Sequence, residues 1–338
     1  MATIRSTDVV TDLSSSPDVT QAYFSKKLLT RAKYRNYHSR WTAESEIPSK
    51  EGKTIIMRRY LHLALALSPL TEGVPPAGKG VSLDDYQATL VQHGDFIALT
   101  DYAQWTQKDP VMQHWTMLLG EQEGYTIDAV DRDTAVAGTG VTYSNGSARN
   151  TITEIVDFND LDRAIRTLSD NGAETMVGGN QSNEEVNSFP TMPAYPAITL
   201  PSVMFDLQNI SGFKWASEYR GSLEGEMGRY KQLAFFSAAD PSSLGAGGKK
   251  FASGGGSSTT VKNTAGTVDV YTILIFGQNG FTKVPLMGKT SSFYAKPLGS
   301  AGTADPLEQV ATIGWKTIGA RLRTNENWLQ RIECAVSL

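Results

Sequence analysis

Two alternating segments separated by a Pro/Gly tip restrict this fold more than any other feature. Thr54 to Leu67 reads as a strand, with Leu61, Leu63, Leu65 and Leu67 alternating against His62, Ala64 and Ala66. Asp84 to Leu99 reads as the return strand, with Tyr86, Ala88 and Leu90 on one face. Gly94 interrupts it, which predicts a bulge or bend. Two strands of this length joined through their own tip make a ribbon that protrudes from its domain. An isolated two-stranded ribbon is marginal in water, so its leucine face needs a surface to lie on.

The tip itself, Glu72-Gly-Val-Pro-Pro-Ala-Gly-Lys-Gly80, spells G-x-x-x-x-G-K from Gly73, the opening of a phosphate-binding loop. Three features argue against nucleotide chemistry. The position after Lys79 is Gly80, where a magnesium-holding Ser or Thr is required. Val81-Ser-Leu-Asp-Asp-Tyr86 leads into another strand, whereas phosphate is received at a helix N-terminus. Pro75 and Pro76 also remove two backbone N–H donors from the cradle.

The chain has 338 residues, enough for roughly two domains or one large one. A hydrophobic content of 40% with 20% charged residues is that of a globular protein. The net charge of −4 excludes a protein whose whole surface grips nucleic acid, though not one with a basic face. Cys334 stands alone, so no internal disulfide can form and folding in the cytoplasm is expected. The N-terminus lacks the apolar core of a signal peptide. No apolar run approaches the ~18 residues of a membrane span, so no membrane partner is expected. Without secretion the sequons at Asn145, Asn180 and Asn209 carry no meaning.

Residues 1–20 read as a loose polar arm. Ser25 to Arg40 then carries six Lys or Arg and no acid, with Tyr34, Tyr37 and Trp41 among or beside them. This run suits either a nucleic-acid strip with stacking aromatics or an amphipathic arm docking on a neighbouring surface. Leu28, Leu29 and Ala32, at helical spacing, favour docking. Beyond the ribbon, Asp109 as N-cap and Pro110 predict a helix start. Val111, Trp115, Leu118 and Leu119 mark its face, and it runs to about Ala137 despite Gly120 and Gly124. A second helix is expected over Phe158 to Ser169, stopped by Asn171-Gly172. Residues 172–260 read as irregular, with a Gly/Ser-rich loop from Ser242 to Ser258. A strand is expected over Val268 to Phe276. The chain closes with a strand pair, Val310 to Leu322 and Trp328 to Val336, turning at Asn325-Glu326-Asn327.

No constellation for catalysis emerges. His38, His62, His93 and His114 lack ligand spacing and read as surface or strand residues. Asp128, Asp131 and Asp133 lack the Gly and distal Glu of a calcium loop and read as a solvated helix face. There is no G-x-S-x-G, Cys334 reads as a half-buried strand residue, and Glu224 with Glu226 is too common a pattern to mark an acid–base site. No catalytic, metal-binding or cofactor-binding residue, and no cofactor, is expected.

The chain resembles the major capsid proteins of tailed bacteriophages, in the coat-protein family typified by the coliphage called N-four. The matching residues span about Phe24 to Leu338. They include Ser68-Pro-Leu-Thr-Glu-Gly73, Gly94, Asp101, Asp109-Pro-Val111, Leu118-Leu-Gly-Glu-Gln122, Gly225-Glu-Met-Gly-Arg-Tyr230 and Phe276-Gly277. The most specific run is C-terminal: Lys296-Pro297, Gly299-Ser300, Gly302-Thr-Ala-Asp-Pro-Leu307, Gln309, Gly314-Trp-Lys316, Asn325, Trp328 and Arg331-Ile-Glu333. Leu200-Pro201 departs from a His-Pro pair common in the family, and the Gly/Ser loop after Ser242 has the look of a local insertion.

The resemblance implies an α+β Hong Kong 97-type capsid fold. Its parts would be an N-terminal arm (1–52), an extended β-ribbon loop (53–100), a peripheral domain with a spine helix (101–157), an axial domain (158–295) and C-terminal return strands of the peripheral domain (296–338). It implies a structural role and no enzymatic one. Pentamers and hexamers of this chain would close an icosahedral shell around double-stranded DNA, assembled in the bacterial host cytoplasm and carried in the virion. Portal, scaffolding and decoration or cement proteins are the further partners implied. Subunit-interface residues expected on this basis are Leu61, Leu63, Leu65, Leu67, Glu72, Pro75, Pro76 and Lys79 on the ribbon, and Lys26, Lys27 and Arg31 on the arm. Pro75 and Pro76 would stiffen the tip and withhold donors from a sticky ribbon end. The alternative is a nucleic-acid-binding structural protein using the basic arm 25–40.

Overall fold

The computed structural model describes residues 37–338, apart from 51, 62, 68, 71, 74, 76, 77, 107–110, 177–192, 220–221, 239–254, 265, 289 and 301–304. After a 3-10 turn at His38–Trp41 come β1 (Ala43–Glu44), β2 (Thr54–Tyr60), β3 (Leu83–Thr89) and β4 (Val91–Thr100). Helices α1 (Asp101–Thr106) and α2 (Val111–Val136) follow, then β5 (Val141–Tyr143) and α3 (Phe158–Asp170). The middle of the chain holds β6 (Tyr195–Thr199), α4 (Pro201–Leu207), β7 (Lys214–Trp215), β8 (Glu226–Tyr230) and β9 (Leu233–Ser237). The remainder is β10 (Asn263–Thr264), β11 (Thr267–Val268), β12 (Tyr271–Phe276), β13 (Phe281–Pro285), β14 (Ser292–Lys296), β15 (Val310–Arg323) and β16 (Leu329–Cys334).

Two sheets organise the body. The larger has seven strands in the order β5-β16-β12-β6-β9-β8-β7. Its inner strands are continuous apolar runs, Tyr271–Phe276 being buried at every residue, because both faces are covered. One face packs Ile273, Ile275, Ile332 and Cys334 against Leu161, Ala164 and Leu168 of α3 and Val203, Met204 and Leu207 of α4. The other packs Ile198, Phe236, Leu274 and Phe276 against Ala135 and Val136 of α2 and Trp41. Residues 172–260, read from the sequence as irregular, therefore supply four strands of this sheet. Short strands of five residues or fewer, parted by turns and a helix, leave too brief an alternation to register in the sequence. The Gly/Ser loop lies mostly outside the described residues.

The five-stranded sheet is built on the fourteen-residue β15. It pairs with β13, β14 and β4, and β1 adds to β13. Ile313 and Trp315 of β15 pack with Leu119 of α2, and Ile97 and Phe293 flank them. Here the expected terminal pair needs correction. β15 and β16 are both present, but they belong to different sheets and do not pair with each other. The 3-10 turn Glu326–Trp328 carries the chain from one sheet to the other. Trp328 fixes this crossing by donating its indole N–H to the Asn171 carbonyl at 3.1 Å.

Gly94 also differs from expectation. The β4–β15 ladder runs one-to-one from Val91↔Gly319 to Val310↔Thr100 with no bulge. A Cβ on Gly94 would sit 2.7 Å from the Trp315 carbonyl oxygen, so glycine serves close approach of backbones. Gly94→Ala should part this ladder and destabilise the subunit by about 1–3 kcal/mol, read as a lower urea midpoint. An unchanged midpoint would show that the strands give way freely.

Helix α2 runs through Gly120 and Gly124 to Val136. Its proposed N-cap, Asp109-Pro110, lies outside the described residues. Leu118, expected on the inner face, is 57% exposed. The buried stripe is instead Thr116, Leu119, Glu123, Asp128, Asp131, Arg132 and Ala135, at helical spacing but largely polar. Polar burial explains the weak apolar pattern. Helix α3 is closer to expectation: Asp157 caps it in a capping box with Asp160, and Gly172 ends it at φ +67°.

Candidate assembly surface

The ribbon begins as an antiparallel pair of β2 and β3, in register from Thr54↔Thr89 to Tyr60↔Leu83. These two strands form a sheet of their own. On the inward face, Ile55, Met57, Ala88 and Leu90 pack with Ile47, Val284 and Ala320, which anchors the root to the five-stranded sheet. The outward face carries Ile56, Tyr60 and Leu83, all exposed. Between them Arg58 donates to Asp85 at 2.8 and 3.2 Å. That bond holds the Asp85 carboxyl below its ordinary range. Arg59 donates to Asp84 at 3.0 Å and lies over the Tyr86 ring at 5.4 Å. Opposite charges in cross-strand register zip a ribbon that has little apolar cover of its own.

The structure shortens the ribbon expected from the sequence. The outgoing strand ends at Tyr60, so Leu61 and residues 63–67 are not strand, and the return divides into β3 and β4 around Leu90. Only β3 pairs with the outgoing arm, while β4 pairs with β15. Past Tyr60 the described residues of the two arms keep a backbone bond from Leu61 N–H to the Ser82 carbonyl at 3.1 Å. Lys79 then donates its ammonium to the carbonyls of Ala64 at 2.8 Å and Leu65 at 3.2 Å, tying the excursion across its width. With those carbonyls satisfied by a side chain, leucine alternation does not require a strand ladder.

These residues form one exposed surface. Leu61, Leu63, Leu65, Leu67 and Leu70 all face solvent, Leu65 at 80% and Leu67 at 84%. Glu72, Pro75 and Lys79 lie on the same excursion and are exposed. Pro76, Lys26, Lys27 and Arg31 lie outside the described residues. Several apolar side chains exposed on one loop make a candidate site of association. Further apolar side chains stand out around the body, among them Phe96 on β4, Tyr102 and Trp105 on α1, and Phe205 on α4. The sequence did not single these out, because lone aromatics at a helix start or in a strand carry no distinctive spacing.

The nucleotide motif has no phosphate-binding geometry. The element after Gly80 is β3, and no atom outside the local chain lies within 4 Å of a Cβ built at Gly73, Gly78 or Gly80. Lys79 is engaged by its own loop.

Several other titratable groups are held in the body of the subunit. Asp128 and Asp131 are buried, which corrects the solvated-face reading. Asp128 accepts the N–H groups of Tyr37 and His38, both at 2.7 Å, and faces His38 Nδ1 at 2.9 Å. His38 is therefore a buried residue and not a surface one; His93 is half-buried, His114 is exposed, and His62 is outside the described residues. Asp131 accepts from Arg321 at 2.6 Å. Together these bonds clamp the start of the described chain to α2 and β15. Glu226 is buried and bonded to Arg229, the Tyr219 hydroxyl and the Leu223 N–H. Cys334 is fully rather than half buried, and burial holds its thiol far above the ordinary range. Among the described residues no group of three or more His, Cys, Asp or Glu is placed to hold a metal ion. None of their helices is long and apolar enough to cross a membrane.

No family model and no curated protein matches the sequence. Solved structures do. The chain is similar to the capsid of Ralstonia phage GP4 with a TM-score of 0.61 at 11% identity, over 90% of this chain and 92% of that one. It is similar to a chain in the head of Helicobacter pylori bacteriophage KHP40 with a TM-score of 0.58 at 10% identity, over 87% of each. Against the capsid of cyanophage Pam1 the TM-score is 0.57 at 13% identity, over 91% and 92%. At such identities the likeness is one of fold. This chain has the Hong Kong 97-type fold found in tailed-phage capsids.

Proposed function

We propose that this chain is the major capsid protein of a tailed double-stranded DNA bacteriophage. The observation that carries this reading is a capsid-type fold across about nine-tenths of the chain, bearing an exposed leucine excursion on a two-stranded ribbon. Within it, the arm (1–52), ribbon loop (53–100), spine-helix segment (101–157), axial domain (158–295) and return strands (296–338) take the roles their order implies. The C-terminal residues Gly302 to Leu307 and Gly314-Trp-Lys316 support placing it in the N-four type coat family.

Function in this reading is geometric and involves no reaction. Each subunit lays the strip Leu61 to Leu67, with Glu72, Pro75, Pro76 and Lys79 at its tip, on a neighbouring subunit. Individual contacts can be weak, because each subunit makes many and closure of pentamers and hexamers into a shell adds them. Portal, scaffolding and decoration or cement proteins complete the particle, which forms in the host cytoplasm. The acidic balance suits a container whose DNA must slide in and leave, since dense phosphate attachment would hold it.

Expression of the chain, with scaffolding protein where needed, should give large particles or capsomers by sedimentation and electron microscopy. A persistent monomer that binds duplex DNA with steep salt dependence would favour the nucleic-acid reading and overturn this one. The arm is tested by replacing Lys26, Lys27 and Arg31 with Gln. Particles should form with lower stability or altered DNA content; unchanged stability and DNA content would remove the arm from both roles.

A further inference from the structure

A carboxyl group is shut inside the subunit beside a cleft of about 1110 Å³ bounded by α2, the 3-10 turn His38–Trp41, β9, β13 and β15. It belongs to Glu123, one helical turn beyond Leu119, which packs on Ile313 and Trp315 of β15. Glu123 is 1% exposed, and its Oε2 is buried with no hydrogen-bond partner. The carboxyl bonds the Ser291 side chain, just ahead of β14, and with Oε2 unpartnered that bond falls to Oε1.

The cations on the cleft wall are engaged elsewhere. Arg321 of β15 pairs with Asp131 at 2.6 Å, Lys283 of β13 lies 3.5 Å from Glu44, and Arg40 in the turn donates to the Glu224 carbonyl at 2.7 Å. The other titratable groups nearby bring no positive charge to Glu123. Tyr37 and Glu224 line the same cleft, His38 faces Asp128, and Asp95 of β4 accepts from Gln122 at 2.6 Å. His93 of β4 is disfavoured as a cation by burial and by the charge of Arg321. A carboxylate sealed off without a counter-charge is costly, and such groups are met as the neutral acid. Burial accordingly pushes the Glu123 carboxyl above its ordinary range, and the Ser291 bond offsets this only in part. Protonation also resolves the geometry. Oε1 can donate the proton to the Ser291 oxygen, and Oε2 becomes an uncharged carbonyl oxygen, which is the cheaper atom to leave unpartnered.

We propose that a proton holds α2 to the five-stranded sheet: neutral Glu123 bridges the helix to Ser291 at the entry to β14, and its ionisation as the pH rises loosens this joint. The folded subunit then keeps a proton that the unfolded chain releases earlier. Stability is therefore full below the ordinary glutamate range and declines as the pH climbs towards the higher value of the folded state. Within that interval this single group raises the unfolding constant by up to about tenfold per pH unit. Acid conditions tighten the contact between α2 and the sheet, and alkaline conditions slacken it.

Urea unfolding of the full chain, dispersed as subunits or capsomers, is compared with that of Glu123→Gln from about pH 4.5 to about pH 8. Gln keeps the shape of the acid and cannot ionise. The native midpoint should fall across this range relative to that of the variant, leaving the variant the more stable at the alkaline end. Infrared spectroscopy with isotope-labelled glutamate reads the proton itself. At about pH 6, where ordinary glutamates are ionised, a protonated carboxyl band should be present in the native chain and absent from Glu123→Gln. If Glu123→Gln does not fold, Ser291→Ala decides: the band should persist and move to higher frequency, because the acid has lost its hydrogen-bond partner. Parallel midpoint curves for the native chain and Glu123→Gln, no protonated-glutamate band at about pH 6, or a band untouched by Ser291→Ala would each overturn the proposal.

Discussion

Replacing Leu63, Leu65 and Leu67 together with serine will abolish shell formation and leave the subunit folded. All three side chains are exposed, at 57%, 80% and 84%, so the isolated subunit has little to lose. Surface changes of this kind usually stay within about ±0.5 kcal/mol each. In the proposed shell the same leucines would be buried on a neighbour. Burying a leucine is worth about 1.5–3 kcal/mol, so three contribute roughly 5–9 kcal/mol per ribbon, repeated at every subunit. Sedimentation velocity should show the particle peak replaced by subunits or capsomers, with an unchanged thermal unfolding curve. Normal particles from the triple variant would show that the excursion is not a seat for assembly.

The second large effect concerns stability. Glu333→Ala should destabilise the subunit by about 3–5 kcal/mol, the usual cost of orphaning a buried ionic partner. Glu333 is fully buried and accepts both Arg149 nitrogens at 2.7 Å and Arg331 Nε at 2.7 Å. Arg331 also donates to the Gly138 carbonyl at 2.8 Å, joining β16 to the end of α2. Loss of Glu333 leaves Arg331, which is largely buried, without its counter-charge; Arg149, about a third exposed, can turn to water. Urea unfolding should show the lower midpoint, and Glu333→Gln, which keeps an acceptor, should fall between. A loss below about 1 kcal/mol would mean that water replaces the carboxylate.

The sequence revealed features whose cause is local. The apolar stripe of Leu161 and Leu168 and the stop at Asn171-Gly172 announce α3, and the structure has that helix. The long C-terminal strand was legible because Val310 to Leu322 is long enough to display its pattern. Pairing was not legible, since partner choice is tertiary: β15 and β16 follow one another and yet enter different sheets. The leucine alternation from Leu61 to Leu67 also outran the local rule. Side-chain alternation permits a strand but does not supply backbone partners, and there Lys79 takes two of the carbonyls. The aspartates of α2 misled for a related reason. Spacing alone cannot distinguish carboxylates facing water from carboxylates capping a 3-10 turn and holding Arg321.

The exposed ribbon excursion stood out in the sequence because proline, glycine and leucine punctuate it. The exposed Phe96 and Tyr102 were not singled out, because lone aromatics carry no distinctive spacing.

In the proposed shell, this chain closes the particle by placing its ribbon on a neighbour. Cryo-electron microscopy of the particles formed by the full chain tests it most directly. The expected result is icosahedral shells of pentamers and hexamers, with both sheets of each subunit recognisable and Leu63, Leu65 and Leu67 buried against an adjacent copy. Only dispersed subunits under all assembly conditions, or shells in which those three leucines face solvent, would contradict it.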